Sequence, residues 1–124
     1  MSDKVQVNSH GTNVAIKAHI LPDDEMHTIG FTDRDPSKWY YYRMVPGLGK
    51  GIEISFNVTI PKDGSDIEVI TLDEDFLQPY DVFYILGKYP NLECTLKVRE
   101  FMEKQIEYLQ NKGVLSGHKR GDYI

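Results

Sequence analysis

Ile52-Glu53-Ile54-Ser55-Phe56-Asn57-Val58-Thr59-Ile60 alternates apolar and polar side chains without a break. A period of two marks a strand with one buried face, because successive side chains leave opposite sides of the pleat. Beyond Leu72 the rhythm changes: Val98, Phe101, Met102, Ile106 and Leu109 recur every three or four positions, the spacing of a helix lying on a core. Strands first and helices last predict an α+β fold: a five-stranded, mainly antiparallel meander sheet packed on one face by two C-terminal helices.

Working outward from that stretch, Lys62-Asp63-Gly64-Ser65 reads as a hairpin turn into a strand over Ile67–Leu72. Upstream, Pro46-Gly47-Leu48-Gly49-Lys50-Gly51 connects to an aromatic strand, Lys38–Val45. Before it, His27–Thr32 is predicted as a strand carrying Ile29 and Phe31, and Asn13–Ile20 as another, with Val14, Ile16, Ala18 and Ile20 on one face. Pro22-Asp23-Asp24 is read as the turn between them. The strand beginning at Lys38 or the one beginning at Gly51 is expected at the centre. Residues 1–12 are polar and turn-rich, a lead-in read as mobile, with Val5 and Val7 as an alternative short edge strand.

The helices carry clearer punctuation. Pro79 suits a first helical position, where its missing N–H is no loss, and Gly87 suits the helix end. Asn91 is a good N-cap for a second helix running to about Lys112, closed by Gly113, with Val114 folding back on Leu109. Residues 114–124 are left as a C-terminal tail.

At 124 residues the chain is one domain by length, 1–124, long enough to bury a core without staples. The net charge of −5 repels a phosphate backbone over most of the surface, so nucleic acid is not an expected partner. Neither is a membrane: the longest apolar run, Val82–Leu86, is far too short to span one. Met1-Ser2-Asp3-Lys4-Val5 lacks the basic start and apolar block of a secretory signal, and the single cysteine, Cys94, excludes an internal disulfide framework. A cytoplasmic setting is expected.

The segment Lys38-Trp39-Tyr40-Tyr41-Tyr42-Arg43-Met44-Val45 has no polar face. Alternation sends Tyr40, Tyr42 and Met44 one way and Trp39, Tyr41, Arg43 and Val45 the other. One series meets the core; the second needs a cover. Trp, Tyr and Arg are enriched at interface hot spots, so Trp39, Tyr41 and Arg43 are the candidate interaction surface.

Around Pro22, His19 and His27 flank Asp23, Asp24 and Glu25. If the flanking strands paired as a hairpin, His19, His27 and Asp23 or Asp24 would approach as nitrogen and oxygen ligands for a divalent metal, with His10 joining if the N-terminal arm folded back. No established metal-motif spacing is present, and a solvated acidic turn is the plainer reading.

Other matches are weaker. Gly47-Leu48-Gly49-Lys50-Gly51 is followed by a strand, not by the helix a phosphate loop requires. Asn57-Val58-Thr59 fits a glycosylation sequon inside a strand, and Arg120-Gly121-Asp122 fits an adhesion tripeptide that has meaning only after export. Cys94 lacks an identifiable base, and Asp73-Glu74-Asp75 reads as a solvated lead into the helices.

Three functions fit this inventory. The first is a non-enzymatic cytoplasmic interaction or regulatory protein, self-associating as a homodimer or binding a protein partner through its aromatic strand, without a cofactor. The second is a small metal-dependent enzyme or metal-binding domain using the 19–27 cluster. The third is an acidic inhibitor or immunity-type protein that masks a basic partner.

Overall fold

The computed structural model describes residues 6–8 and 11–121. Along the chain run β1 (Lys17–Ala18), α1 (Asp23–Ile29), β2 (Lys38–Met44), β3 (Ile54–Pro61), β4 (Glu68–Asp73), β5 (Gln78–Pro79), α2 (Val82–Lys88), α3 (Glu93–Asn111) and β6 (Leu115–Ser116). Strands β2, β3, β4 and β5 form one antiparallel meander in that order, and β1 pairs with β6 in a separate two-stranded sheet. The fold is α+β, as the change of hydrophobic rhythm predicts. The main sheet has four strands among the described residues, where five were expected. The strand of the opening quotation, β3, lies inside the sheet, and the aromatic strand β2 lies at its edge.

Register turns the alternation of β3 into a core. Ile60 sits opposite Trp39, Val58 opposite Tyr41 and Val69, and Phe56 opposite Arg43 and Thr71. Trp39, Tyr41, Phe56, Val58, Ile60 and Val69 are all buried on that side. Onto it α3 lays Val98, Met102, Ile106 and Leu109, spaced every three or four residues. The helix is also tied to the sheet by polar bonds: the Tyr41 hydroxyl donates to Gln105 Oε1 at 2.5 Å, and Tyr80 and Thr95 share a hydroxyl contact at 2.6 Å.

The N-terminal third departs from the strand reading. His27–Thr32 is not a strand; Asp23–Ile29 is helix α1, and only Thr32 bridges Tyr40. Pro22 precedes the helix and Asp23, Asp24 and Glu25 fill its first turn, where carboxylates favour the positive end. Met26 and Ile29 are the buried pair, three apart, so the period that mattered was helical. The predicted Asn13–Ile20 strand shrinks to Lys17–Ala18. Asn13 Oδ1 accepts from the Ala15 N–H at 2.9 Å, a local turn that breaks the ladder, and Val14 and Ile20 are exposed.

The edge of β4 is closed from this segment. The Val69 N–H donates to Thr12 Oγ1 at 2.7 Å, and Asn8 Nδ2 donates to the Ile67 carbonyl at 3.3 Å. Side chains there take the place of a neighbouring strand. Val7 makes an isolated bridge to Asn13; Val5, His10 and Asp122 lie outside the described residues.

Helix boundaries shift for identifiable reasons. Pro79 belongs to β5, and α2 starts after Asp81, whose carboxylate accepts from the Tyr84 N–H at 3.0 Å; the aspartate outranks the proline as a start signal. Gly87 lies within α2, which runs on to Lys88. Asn91 does not cap α3, whose N-cap position is Leu92. At the far end Gly113 adopts φ 86° and the Val114 N–H returns to the Leu109 carbonyl at 3.0 Å, as expected for a glycine-closed helix.

Residues 114–121 are not a loose tail. Val114 and Leu115 are buried, and β6 holds β1 so closely that a Cβ on Gly117 would lie 2.1 Å from the Ala15 carbonyl oxygen. His118 Nε2 meets Glu103 Oε1 at 2.6 Å inside the protein, Glu103 Oε2 accepts the Gly121 N–H at 2.7 Å, and Arg120 grips Glu100 and Glu107. The chain end is thereby latched along α3.

Candidate interaction surface

The two series of β2 have opposite fates. Trp39 and Tyr41 are 1% and 2% exposed, so neither presents a surface. Arg43 stays at the rim of the same face. Its guanidinium lies 4.3 Å from the centre of the Tyr41 ring and donates through Nη1 to the Tyr42 carbonyl at 2.8 Å. Gly30 makes room for it, since a Cβ there would sit 2.3 Å from Nη2. The predicted surface of Trp39, Tyr41 and Arg43 is therefore the inner face, covered by the protein's own helices; burial also pushes the Tyr41 hydroxyl pKa up.

The outward series is Tyr40, Tyr42 and Met44, of which Tyr42 is 48% and Met44 41% exposed. Ladder pairing extends each position across the sheet. Tyr42 lies level with Asn57 and Ile70, Met44 with Ser55, Leu72 and Pro79, and Tyr40 with Thr59 and Glu68. None of these outward side chains belongs to the hydrophobic core. At the centre of the face Asn57 Nδ2 donates to Ser55 Oγ, and the buried Ser55 donates to Glu74 Oε2. The Tyr42 hydroxyl donates to Met44 Sδ, and burial together with Glu74 and Glu53 raises its pKa, so it remains a neutral donor. Past the end of β4, Phe76 and Leu77 are 72% and 76% exposed, and Leu77 holds φ 52°, a left-handed conformation uncommon for a bulky residue.

The candidate ligand cluster does not assemble. Asp23 and Asp24 are exposed in the first turn of α1 and His27 lies in its last turn, while His19 precedes the helix. His19 Nε2 contacts Ser116 Oγ at 2.7 Å; His27 Nε2 contacts Asp33 Oδ1 at 3.1 Å, and its ring meets Trp39 edge-on. Lys62 completes that group, bonding Asp33 at 3.0 Å and lying over the Trp39 ring, and its hydrogen bond leads the effects that lower the Asp33 pKa. Among the described residues no three His, Cys, Asp or Glu side chains are grouped to hold a metal ion, and no helix is long and apolar enough to cross a membrane. Arg120 is engaged by Glu100 and Glu107.

No family model, curated protein or solved structure matches the chain.

Sequence reasoning missed Tyr42 and Met44 as the exposed residues of this strand, with the half-buried Ile70 and Leu72 beside them. A signal was present: Trp39 and Val45 flank one series of β2, whereas Lys38 and Met44 flank the other. Tryptophan with a β-branched residue favours the inner face.

Proposed function

We propose that this is a cytoplasmic, non-enzymatic interaction protein that self-associates through the outer face of its four-stranded sheet. The observation that carries the reading is the exposure of Tyr42 and Met44 on a face whose neighbouring positions are Ile70 and Leu72. A one-sided antiparallel sheet usually turns polar residues to water; here β2 and β4 turn aromatic and aliphatic ones. Contiguous exposed apolar area of this kind marks an interaction site. A second copy is the favoured occupant because an acidic chain repels its own kind wherever carboxylates meet, while the row Tyr42, Asn57 and Ile70 across this face is uncharged.

The size of the face sets the strength. Three strands about 4.8 Å apart and seven residues long span roughly 350 Å² in projection. That is well under the ~800 Å² per partner of a standard interface, so association is reversible and weak. Sedimentation velocity over a wide concentration range tests it. Wild type should shift from monomer toward dimer as concentration rises, and Tyr42→Glu should remain monomeric with an unchanged circular dichroism spectrum. A wild type that stays monomeric throughout, or a Tyr42→Glu variant that dimerises equally well, removes the proposal.

A further inference from the structure

We infer that the cavity between the edge of β4, β5 and α2 binds a small organic cation, with its ammonium at Asp81 and its apolar body inside. The site does not involve Tyr42 or Met44 and is independent of the self-association reading. The cavity measures about 430 Å³, within the range of small-molecule sites. Its floor is Val69, Val82 and Met102, each at most 4% exposed. Tyr80 and Tyr84 line it as well, and Tyr84 is 60% exposed.

Local structure makes the space. The chain returns along β4 through β5, with the Tyr80 N–H donating to the Thr71 carbonyl at 2.9 Å and Thr71 Oγ1 donating to the Tyr80 carbonyl at 2.8 Å. The Tyr80 hydroxyl is held at Thr95 Oγ1 of α3, 2.6 Å away. Asp81 then starts α2, in which Val82 is buried while Asp81 and Tyr84 stay exposed. The cavity is the wedge left between that strand edge and the helix.

Charge selects the occupant. Among the described residues Asp81 is the one charged side chain lining the cavity, and no lysine, arginine or histidine does. An anion would leave water for an apolar wall beside a carboxylate, with no cation to receive it. Asp81 Oδ1 accepts the Tyr84 N–H as the helix cap, and an ionised carboxylate has acceptor positions beyond that one. Aromatic faces add to the attraction. Lys88, which does not line the cavity, holds its ammonium 4.9 Å from the centre of the Tyr84 ring, so that ring already attracts a cation. The net charge of −5 draws cations toward the protein in general.

Burial fixes the orientation. Asp81 is exposed at the mouth and the floor is apolar, so the ammonium stays at the rim and the body enters first. A lysine presented by a partner protein would enter ammonium first and strand its charge on that floor. The occupant is therefore a free molecule, a protonated amine carrying a compact ring.

Amide chemical-shift titration by NMR tests this with phenethylamine, its neutral counterpart phenethyl alcohol, and the anion phenylacetate. Phenethylamine should shift the amides of Val69, Thr71 and Val82 and bind roughly threefold more tightly than the alcohol, as an exposed charge pair allows. Phenylacetate should bind more weakly than the alcohol. Asp81→Asn keeps the helix cap, because asparagine caps as well as aspartate. It should lower phenethylamine to the affinity of the alcohol and leave the alcohol unchanged. If none of the three probes perturbs the cavity-lining amides, the inference is overturned. Equal binding of amine and alcohol by wild type, or a preference for the amine that survives in Asp81→Asn, overturns it as well.

Discussion

Tyr41 and Tyr42 are chain neighbours on one strand with the same side chain, and they serve opposite ends. The first is 2% exposed and donates to Gln105 of α3; the second is 48% exposed on a face that α3 does not reach. The inner row of β2 is apolar because folding requires it. The outer row is apolar without contributing to the core, and in an otherwise well-charged protein that needs a different reason. The contrast shows that an aromatic strand without a polar face carries two messages, and that only register says which residues carry which.

The sharpest way to break the contrast is to truncate both faces and compare stability in urea. Trp39→Ala should lose about 3–5 kcal/mol, the usual cost of emptying a large core site. Met44→Ala and Tyr42→Ala should each stay below about 1 kcal/mol for the monomer, as surface changes do. Equal losses on the two faces would end the distinction.

The cover of the inner face offers the next test. His118→Ala leaves the buried Glu103 carboxylate with the Gly121 N–H alone of its two contacts here, and should cost roughly 3 kcal/mol by the rule for broken buried pairs. Conserving the carboxylate's size with Glu103→Gln should cost less, because the amide oxygen still accepts. A smaller effect isolates the tyrosine pair: Tyr41→Phe removes the bond to Gln105 and should lose about 1 kcal/mol, whereas Tyr42→Phe should be neutral for folding.

The smallest effect concerns Asp33, which Lys62 and His27 hold below its usual 3.8. A carboxylate with a lowered folded pKa contributes stability that is full above the unfolded value and is lost as pH falls through the folded one. Thermal melts of wild type should therefore fall slightly more steeply below about pH 4 than those of Asp33→Asn. Parallel curves would show that the Asp33–Lys62–His27 group over Trp39 contributes nothing.

Much of the fold could be read directly. Ile54, Phe56, Val58 and Ile60 announced the inner face of β3, and Val98, Met102, Ile106 and Leu109 announced the buried stripe of α3. Residues 13–32 read differently in sequence and structure because Ile29 and Phe31 satisfy a period of two over too short a span, while the acidic helix start at Asp23, Asp24 and Glu25 has the composition of a turn. The latch of His118, Arg120 and Gly121 on α3 depends on side chains that meet only after folding, across separations of 13 to 20 residues. The outer face was visible as one of two alternating series. Choosing between them required the pairing of Tyr41 with Val58, which the glycine-rich connection 46–51 leaves open.

Radical footprinting read by mass spectrometry puts the central claim to its most direct trial. Met44 and Trp39 would be labelled in the same sample at dilute and at concentrated protein, and their reaction rates compared. Met44 should react readily when dilute and become protected as concentration rises, while Trp39 stays unreactive at both. A Met44 rate that does not change with concentration, under conditions where sedimentation shows dimer, would contradict the account.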